Sequence, residues 1–165
     1  MGMWQWLIII FVVLVWAIGV IILWLGVPPL PSRRQKINQF FTLARILPNE
    51  RVFDLGAGDG RVLQISRDRY QAKISGWELH PLLWLLAKWR LGGTADIRLA
   101  NLWRAPIEEA DVVFVFLMPR LMLRVQKLIW PRLRPGARLI SNSFPLPDED
   151  PQEIADGVYL YIKPS

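Results

Sequence analysis

Hydrophobic and polar positions follow three different regimes along this chain, and each predicts a different kind of element. From 4 to 26 there is no formally charged residue, and Gln5 is the only strongly polar side chain. As a helix that run rises about 34 Å, enough to cross a hydrocarbon core of about 30 Å. Trp4 and Trp6 at one end and Trp24 at the other stand where indoles favour a membrane interface, so one transmembrane helix is expected. A cleaved leader would need a basic start, a shorter apolar region and a small-residue cleavage site. Neither residues 1–3 nor Leu25-Gly26-Val27-Pro28-Pro29 provides them.

After a proline-stiffened linker at 28–32 the period becomes helical. Ile37, Phe40, Phe41, Leu43, Ala44 and Leu47 recur at helical spacing, predicting a helix over 36–47 that covers the edge of a ligand site or lies on a membrane. From there short apolar runs alternate with helical stretches. Strands are predicted at 52–55, 74–78, 95–100, 111–117, 137–142 and 158–162. Between them, helices are predicted at about 61–70, from Pro81 to the closing Gly92-Gly93, and around Leu121, Val125 and Leu128. The unbroken apolar run after Asp111 fits a central parallel strand. Such alternation predicts a doubly wound α/β sheet of about six strands, with ligands beyond the carboxyl ends of its central strands. The expected plan is a transmembrane helix at 4–26, a linker and helix at 27–50, and one α/β domain at 51–165.

Between the first predicted strand and its helix lies Asp54-Leu55-Gly56-Ala57-Gly58-Asp59-Gly60-Arg61. Glycines here let the main chain approach a ligand closely. Glu78 ends the next predicted strand, where a carboxylate is placed to accept ribose hydroxyls, so the ligand narrows to a nucleoside. A dinucleotide fingerprint needs G-x-G-x-x-G, but Arg61 stands where the last glycine should be, and Asp54 and Asp59 add negative charge where a pyrophosphate would lie. A cationic nucleoside suits the turn better, and S-adenosylmethionine has a ribose, a sulfonium and an ammonium group without a phosphate.

Composition sharpens this picture. Zero cysteines and the single His80 exclude thiolate chemistry and argue against a resident metal. With 53% apolar residues, 9 Trp and a net charge of +6, the chain suits an anionic lipid face. Nucleic acid is not the expected partner. Arg33, Arg34 and Lys36 follow the apolar run closely, so the positive-inside rule predicts a single-pass membrane protein with its domain on the cytoplasmic side, or the matrix side in a mitochondrion.

The motif Asp54-Leu55-Gly56-Ala57-Gly58-Asp59-Gly60 resembles the first motif of class I S-adenosylmethionine-dependent methyltransferases, and Glu78 resembles the acidic end of their second strand. Four further stretches are Trp77-Glu78-Leu79-His80-Pro81, Asn101-Leu102-Trp103, Leu133-Arg134-Pro135-Gly136-Ala137-Arg138 and Phe144-Pro145-Leu146-Pro147. In that order, behind an N-terminal hydrophobic segment, they are similar to the ATP-synthase c-subunit lysine N-methyltransferase family and its bacterial relatives. The resemblance implies a Rossmann-like class I methyltransferase sheet in a minimal version. It implies S-adenosylmethionine as cofactor, held by Asp54, Gly56, Ala57, Gly58, Gly60, Glu78, Leu79, Asn101 and Leu102, and a lysine of a membrane protein as acceptor. Asn101 stands where the family has Asp, and His80 where it has Asn. An Asn carbonyl still accepts from an adenine amino group.

Methyl transfer from a sulfonium is a direct displacement, so alignment is the protein's main task. The end of the fourth predicted strand, Leu117-Met118-Pro119, should border the point of delivery. Phe144, Trp103 and Met118 are candidate walls for a slot that keeps the lysine neutral by desolvation. Two other readings stand beside this one. A lipid or quinone acceptor suits the apolar Leu82-Leu83-Trp84-Leu85-Leu86 run equally well, and an inactive membrane-tethered adapter would account for Asn101 and the reduced size.

Overall fold

The computed structural model describes residues 2–25, 34–93 and 95–165, with side chains outside 18–36. Two compact units result, Met1–Leu30 and Pro31–Ser165.

The first unit contains helix α1 (Met3–Leu25). Apart from Gln5 its described side chains are apolar, and all but Ala17 are exposed, with Trp4, Phe11 and Trp16 each about 70% accessible. Among the described residues, however, no helix is long and apolar enough to cross a membrane. The transmembrane helix expected at 4–26 is therefore corrected, and with it the single-pass membrane placement. The rest of that expected span and the 28–32 linker lie outside the residues described with side chains.

The second unit is a seven-stranded sheet in the order β3-β2-β1-β4-β5-β7-β6. Its strands are β1 (Arg51–Leu55), β2 (Lys73–Glu78), β3 (Asp96–Leu99), β4 (Val112–Val115), β5 (Arg138–Asn142), β6 (Glu153–Ala155) and β7 (Val158–Ile162). The first five run parallel, and β7 pairs antiparallel with both β5 and β6. Six strands were expected, and β6 is the addition. It pairs with β7 across Asp156-Gly157, both at positive φ (49° and 72°), the backbone of a two-residue hairpin turn.

Helices α2 (Arg34–Ala44), α3 (Arg61–Tyr70) and α4 (Pro81–Leu91) lie on one face of the sheet, and α5 (Pro119–Leu128) lies on the other. The α2 segment packs on the sheet through Ile37, Phe40, Phe41, Leu43 and Ala44, with Phe40 stacked on Phe114 at 5.7 Å. The Arg138 guanidinium of β5 donates to the carbonyls of Ala44 and Arg45 at 2.6 and 2.8 Å. A cation at the carboxyl end of α2 complements the helix dipole. Only Ala87 and Leu91 of α4 are buried. Leu82, Leu85, Leu86 and Trp89, spaced as one helical stripe, remain exposed.

Because β2 lies on one side of β1 and β4 on the other, the strand order reverses between β1 and β4. Ligands of open α/β sheets bind beyond the carboxyl ends at such a point.

Candidate active site

Strand β1 delivers the glycine turn to that position. The N–H groups of Gly56 and Ala57 both donate to the Trp77 carbonyl of β2, at 2.9 and 3.0 Å, and Gly60 N–H donates to Ala57 O at 2.9 Å. Two glycines do different work in it. A Cβ on Gly60 would stand 3.0 Å from Ala87 Cβ and from Leu91 Cδ1, so here the turn accepts the packing of α4. A Cβ on Gly58 would meet nothing nearer than Gly56 O at 3.9 Å. At Gly58 the main chain is bare and open.

Glu78 turns onto this bare segment. Its Oε2 accepts the Gly58 N–H at 2.7 Å, and Oε1 accepts those of Leu79 and His80 at 2.9 and 2.8 Å. A carboxylate has about four acceptor sites, so about one remains for a ligand hydroxyl. The same bond takes up Gly58 N–H, which is then not available to a phosphate.

Asp54 is 7% exposed, and among the described residues nothing donates a hydrogen bond to its carboxyl group. Burial, then repulsion from Glu78 and Asp59, pushes its carboxyl from 3.8 up to about 7. Asp59 is tied to Arg61 and Arg90 at 3.0 Å each, and Arg90 Nε donates to the Asp59 carbonyl at 2.8 Å, fastening α4 to the tip of the turn. A buried acid without a partner, beside two other carboxylates, favours a cation and disfavours a pyrophosphate. The residues present therefore fit S-adenosylmethionine: Asp54 toward its positive charge, Glu78 toward a ribose hydroxyl and the Gly56 to Gly58 backbone along its length.

The other residues expected from the sequence are spread more widely. Leu79 is exposed beside His80. Asn101, exposed past β3, caps a short 3₁₀ turn, its Oδ1 accepting Trp103 N–H at 3.2 Å, with Leu102 half-buried next to it. Among the slot candidates, Phe144 and Trp103 pack against the core on the α5 side, and the Arg124 guanidinium lies 4.4 Å over the Trp103 ring. Met118 and Pro119 open α5, just after Leu117. A Cβ on Gly56 would come within 3.7 Å of Leu117 Cδ2, so the end of β4 adjoins the turn.

Two residues at this end of the sheet were not picked out from the sequence. Phe116 follows β4, is half-buried and belongs to neither core cluster. Asn142 ends β5, fully buried. Phe116 was hidden inside an apolar run, and Asn142 in a predicted strand end; only the register of the sheet distinguishes them.

Residues 54–153 match the model of the family described as the ANTKMT methyltransferase domain. The chain is 31% identical over 146 residues to the adenine nucleotide translocase lysine N-methyltransferase of Mus musculus, covering 83% of this chain and 63% of that protein. It is 29% identical over 143 residues to the ATP synthase c-subunit lysine N-methyltransferase of Homo sapiens, covering 81% and 60%. The chain thus spans less than two thirds of the length of either relative. Among solved structures it is similar to an RNA methyltransferase from Salinibacter ruber in complex with S-adenosyl-L-homocysteine, with a TM-score of 0.76, 25% identity, and coverage of 82% of this chain and 94% of that one.

Proposed function

The chain belongs to the ANTKMT methyltransferase domain family, with S-adenosylmethionine as its cofactor, and from that premise we propose that it methylates a lysine of a membrane protein. The observation that carries this reading is the pairing of Glu78 with Gly58 at 2.7 Å beside the buried, unpartnered Asp54. When bound, the cofactor supplies a methyl carbon that an amine lone pair displaces from sulfur, the sulfur keeping the bonding pair and the amine losing a proton to solvent.

The chain's own residues bind, orient and exclude water. Asp54 meets the ligand's positive charge, and Glu78 holds the ribose end with its free acceptor site. On the other side of the crevice, Phe116 and Met118 flank Leu117 at the end of β4. Apolar surroundings there favour the neutral amine that the displacement requires. The relatives named for the lysines of adenine nucleotide translocase and of the ATP synthase c-subunit support a lysine acceptor. The exposed stripe of Leu82, Leu85, Leu86 and Trp89 on α4 supports an acceptor with an apolar surface.

That same stripe also suits a lipid or quinone acceptor. Labelling separates the two: the full chain is incubated with native membranes and S-adenosylmethionine carrying a tritiated methyl group, and protein, lipid and RNA are then fractionated. Label is expected in protein, recovered on hydrolysis as methylated lysine. Label confined to lipid would move the assignment to the second reading. Label in RNA would overturn both, and no heat on titration with S-adenosylmethionine would leave only an inactive adapter.

A further inference from the structure

Among the described residues, two buried side-chain polar atoms have no hydrogen-bond partner, His80 Nδ1 and Asn142 Nδ2. Both stand at the carboxyl ends of parallel strands, β2 and β5, on either side of the β1/β4 crevice. Burying a polar group without a partner costs free energy, a cost seldom kept where nothing uses the group.

The sheet places Asn142 on the acceptor side. Asp54, Phe114 and Ile140 form one row across β1, β4 and β5. Side chains two apart share a face, so Asn142 faces the same way as Ile140 and Asp54. Two strand spacings and two residues separate Asn142 from Asp54, about 12 Å between α-carbons. Extending the Val115–Ser141 pairing by one residue sets Phe116 beside Asn142. The carboxamide is held at one end only, where Ser143 Oγ donates to Asn142 Oδ1 at 3.0 Å. A hydroxyl both donates and accepts, so a half-turn of the carboxamide keeps this pair and presents Oδ1 instead of Nδ2.

We propose that Asn142 is an acceptor-binding residue, its carboxamide oxygen taking an N–H of the incoming amine while Phe116 lines the approach. This rests on the methyltransferase reading above. A neutral primary amine has two N–H groups and one lone pair, and directing the lone pair at the methyl carbon leaves the N–H groups in need of acceptors. An aromatic wall cannot provide one. Asn142 can, and it carries no charge that would hold the amine protonated.

The test needs no knowledge of the natural acceptor. The probe is an adenosine derivative in which nitrogen replaces the sulfonium and bears, besides the amino-acid arm, a four-carbon aminoalkyl arm. Its affinity is compared with that of S-adenosylhomocysteine by calorimetry on the full chain. The wild type should bind the probe more tightly, and the change of the ratio of the two dissociation constants between proteins reports the amine arm, the exchange of nitrogen for sulfur being common to all of them. Asn142→Ala should lower that ratio about tenfold, the scale of one hydrogen bond, with S-adenosylhomocysteine affinity unchanged within about twofold. Asn142→Leu, nearly the same size but without an acceptor, should lower the ratio as much, and it serves equally where the Ala variant fails to fold.

An unchanged ratio in both variants overturns the proposal, as does a parallel loss of both ligands in both variants, which would mark Asn142 as structural. A wild type that binds S-adenosylhomocysteine but gains nothing from the aminoalkyl arm sinks this inference and leaves the cofactor site standing. A wild type that binds neither ligand sinks the methyltransferase reading itself.

Discussion

Glu78 Oε2 accepts the main-chain N–H of Gly58 at 2.7 Å, so the acid that ends β2 holds the turn that ends β1. With the bonds from Leu79 and His80, one carboxylate both braces the site and lines it. Glu78→Ala removes three charge-assisted bonds at once, for an expected loss of about 2–3 kcal/mol in urea denaturation. Calorimetry should then detect no binding of S-adenosylmethionine. Glu78→Gln keeps one acceptor oxygen and should lose about half as much stability. An unchanged urea midpoint for the Ala variant would mean that the turn is held by other contacts.

Asp54 should make cofactor binding depend on pH. Its folded value of about 7 lies above the ordinary 3.8, so between those values the folded protein keeps a proton that the unfolded chain has lost. This group's contribution to the stability of the ligand-free protein is therefore complete below 3.8 and disappears as pH rises through about 7. A cationic ligand reverses the preference, because it favours the ionised carboxyl. From pH 6 to pH 8 the dissociation constant of S-adenosylmethionine should fall about tenfold relative to that of Asp54→Asn. Parallel pH profiles for the two proteins would refute this.

Gly58 and Gly60 should separate binding from stability. Gly60 has φ +76° and no room for a Cβ against Ala87 and Leu91, so Gly60→Ala should cost about 2 kcal/mol or more. Gly58 has φ +55° with open space around it. Gly58→Ala should cost only about 1 kcal/mol of backbone strain but put a methyl group where the ligand meets the main chain, weakening S-adenosylmethionine by at least about tenfold. Thermal melts and titrations on the same samples read both effects.

The same contrast explains what was legible in the sequence. The β1 turn was readable because a buried apolar strand, an acid and three spaced glycines leave few other local structures, and the acid ending β2 followed from strand length. Strand β6 was not. Ile154 is 60% exposed, so its three residues show no buried face, and only the Asp156-Gly157 dipeptide announced the hairpin. Hydropathy suggested a span at 4–26, yet among the described residues no helix is long and apolar enough to cross a membrane. Trp103 and Phe144, the expected slot walls, pack half-buried against the α5-side core, a placement that follows from the register and not from the local sequence. Asn142 became visible only when β4 and β5 were paired.

The α4 stripe gives the most direct test of how an acceptor is met. Trp89 is 81% exposed and Leu85 57%, so neither adds much to the core, and replacing both with Glu should change stability by only about 0.5 kcal/mol. Buried Ala87 and Leu91, on the opposite side of the helix, keep it against the turn at Gly60, so S-adenosylmethionine affinity should be unchanged. What the double variant places on the stripe is charge, and an apolar acceptor surface would have to desolvate two carboxylates to approach it. Tritium transfer to membrane proteins should therefore fall by about tenfold or more, while the melting temperature and the cofactor dissociation constant remain at their wild-type values. Equal transfer by the double variant would exclude α4 from the docking surface and leave the crevice alone to select the acceptor.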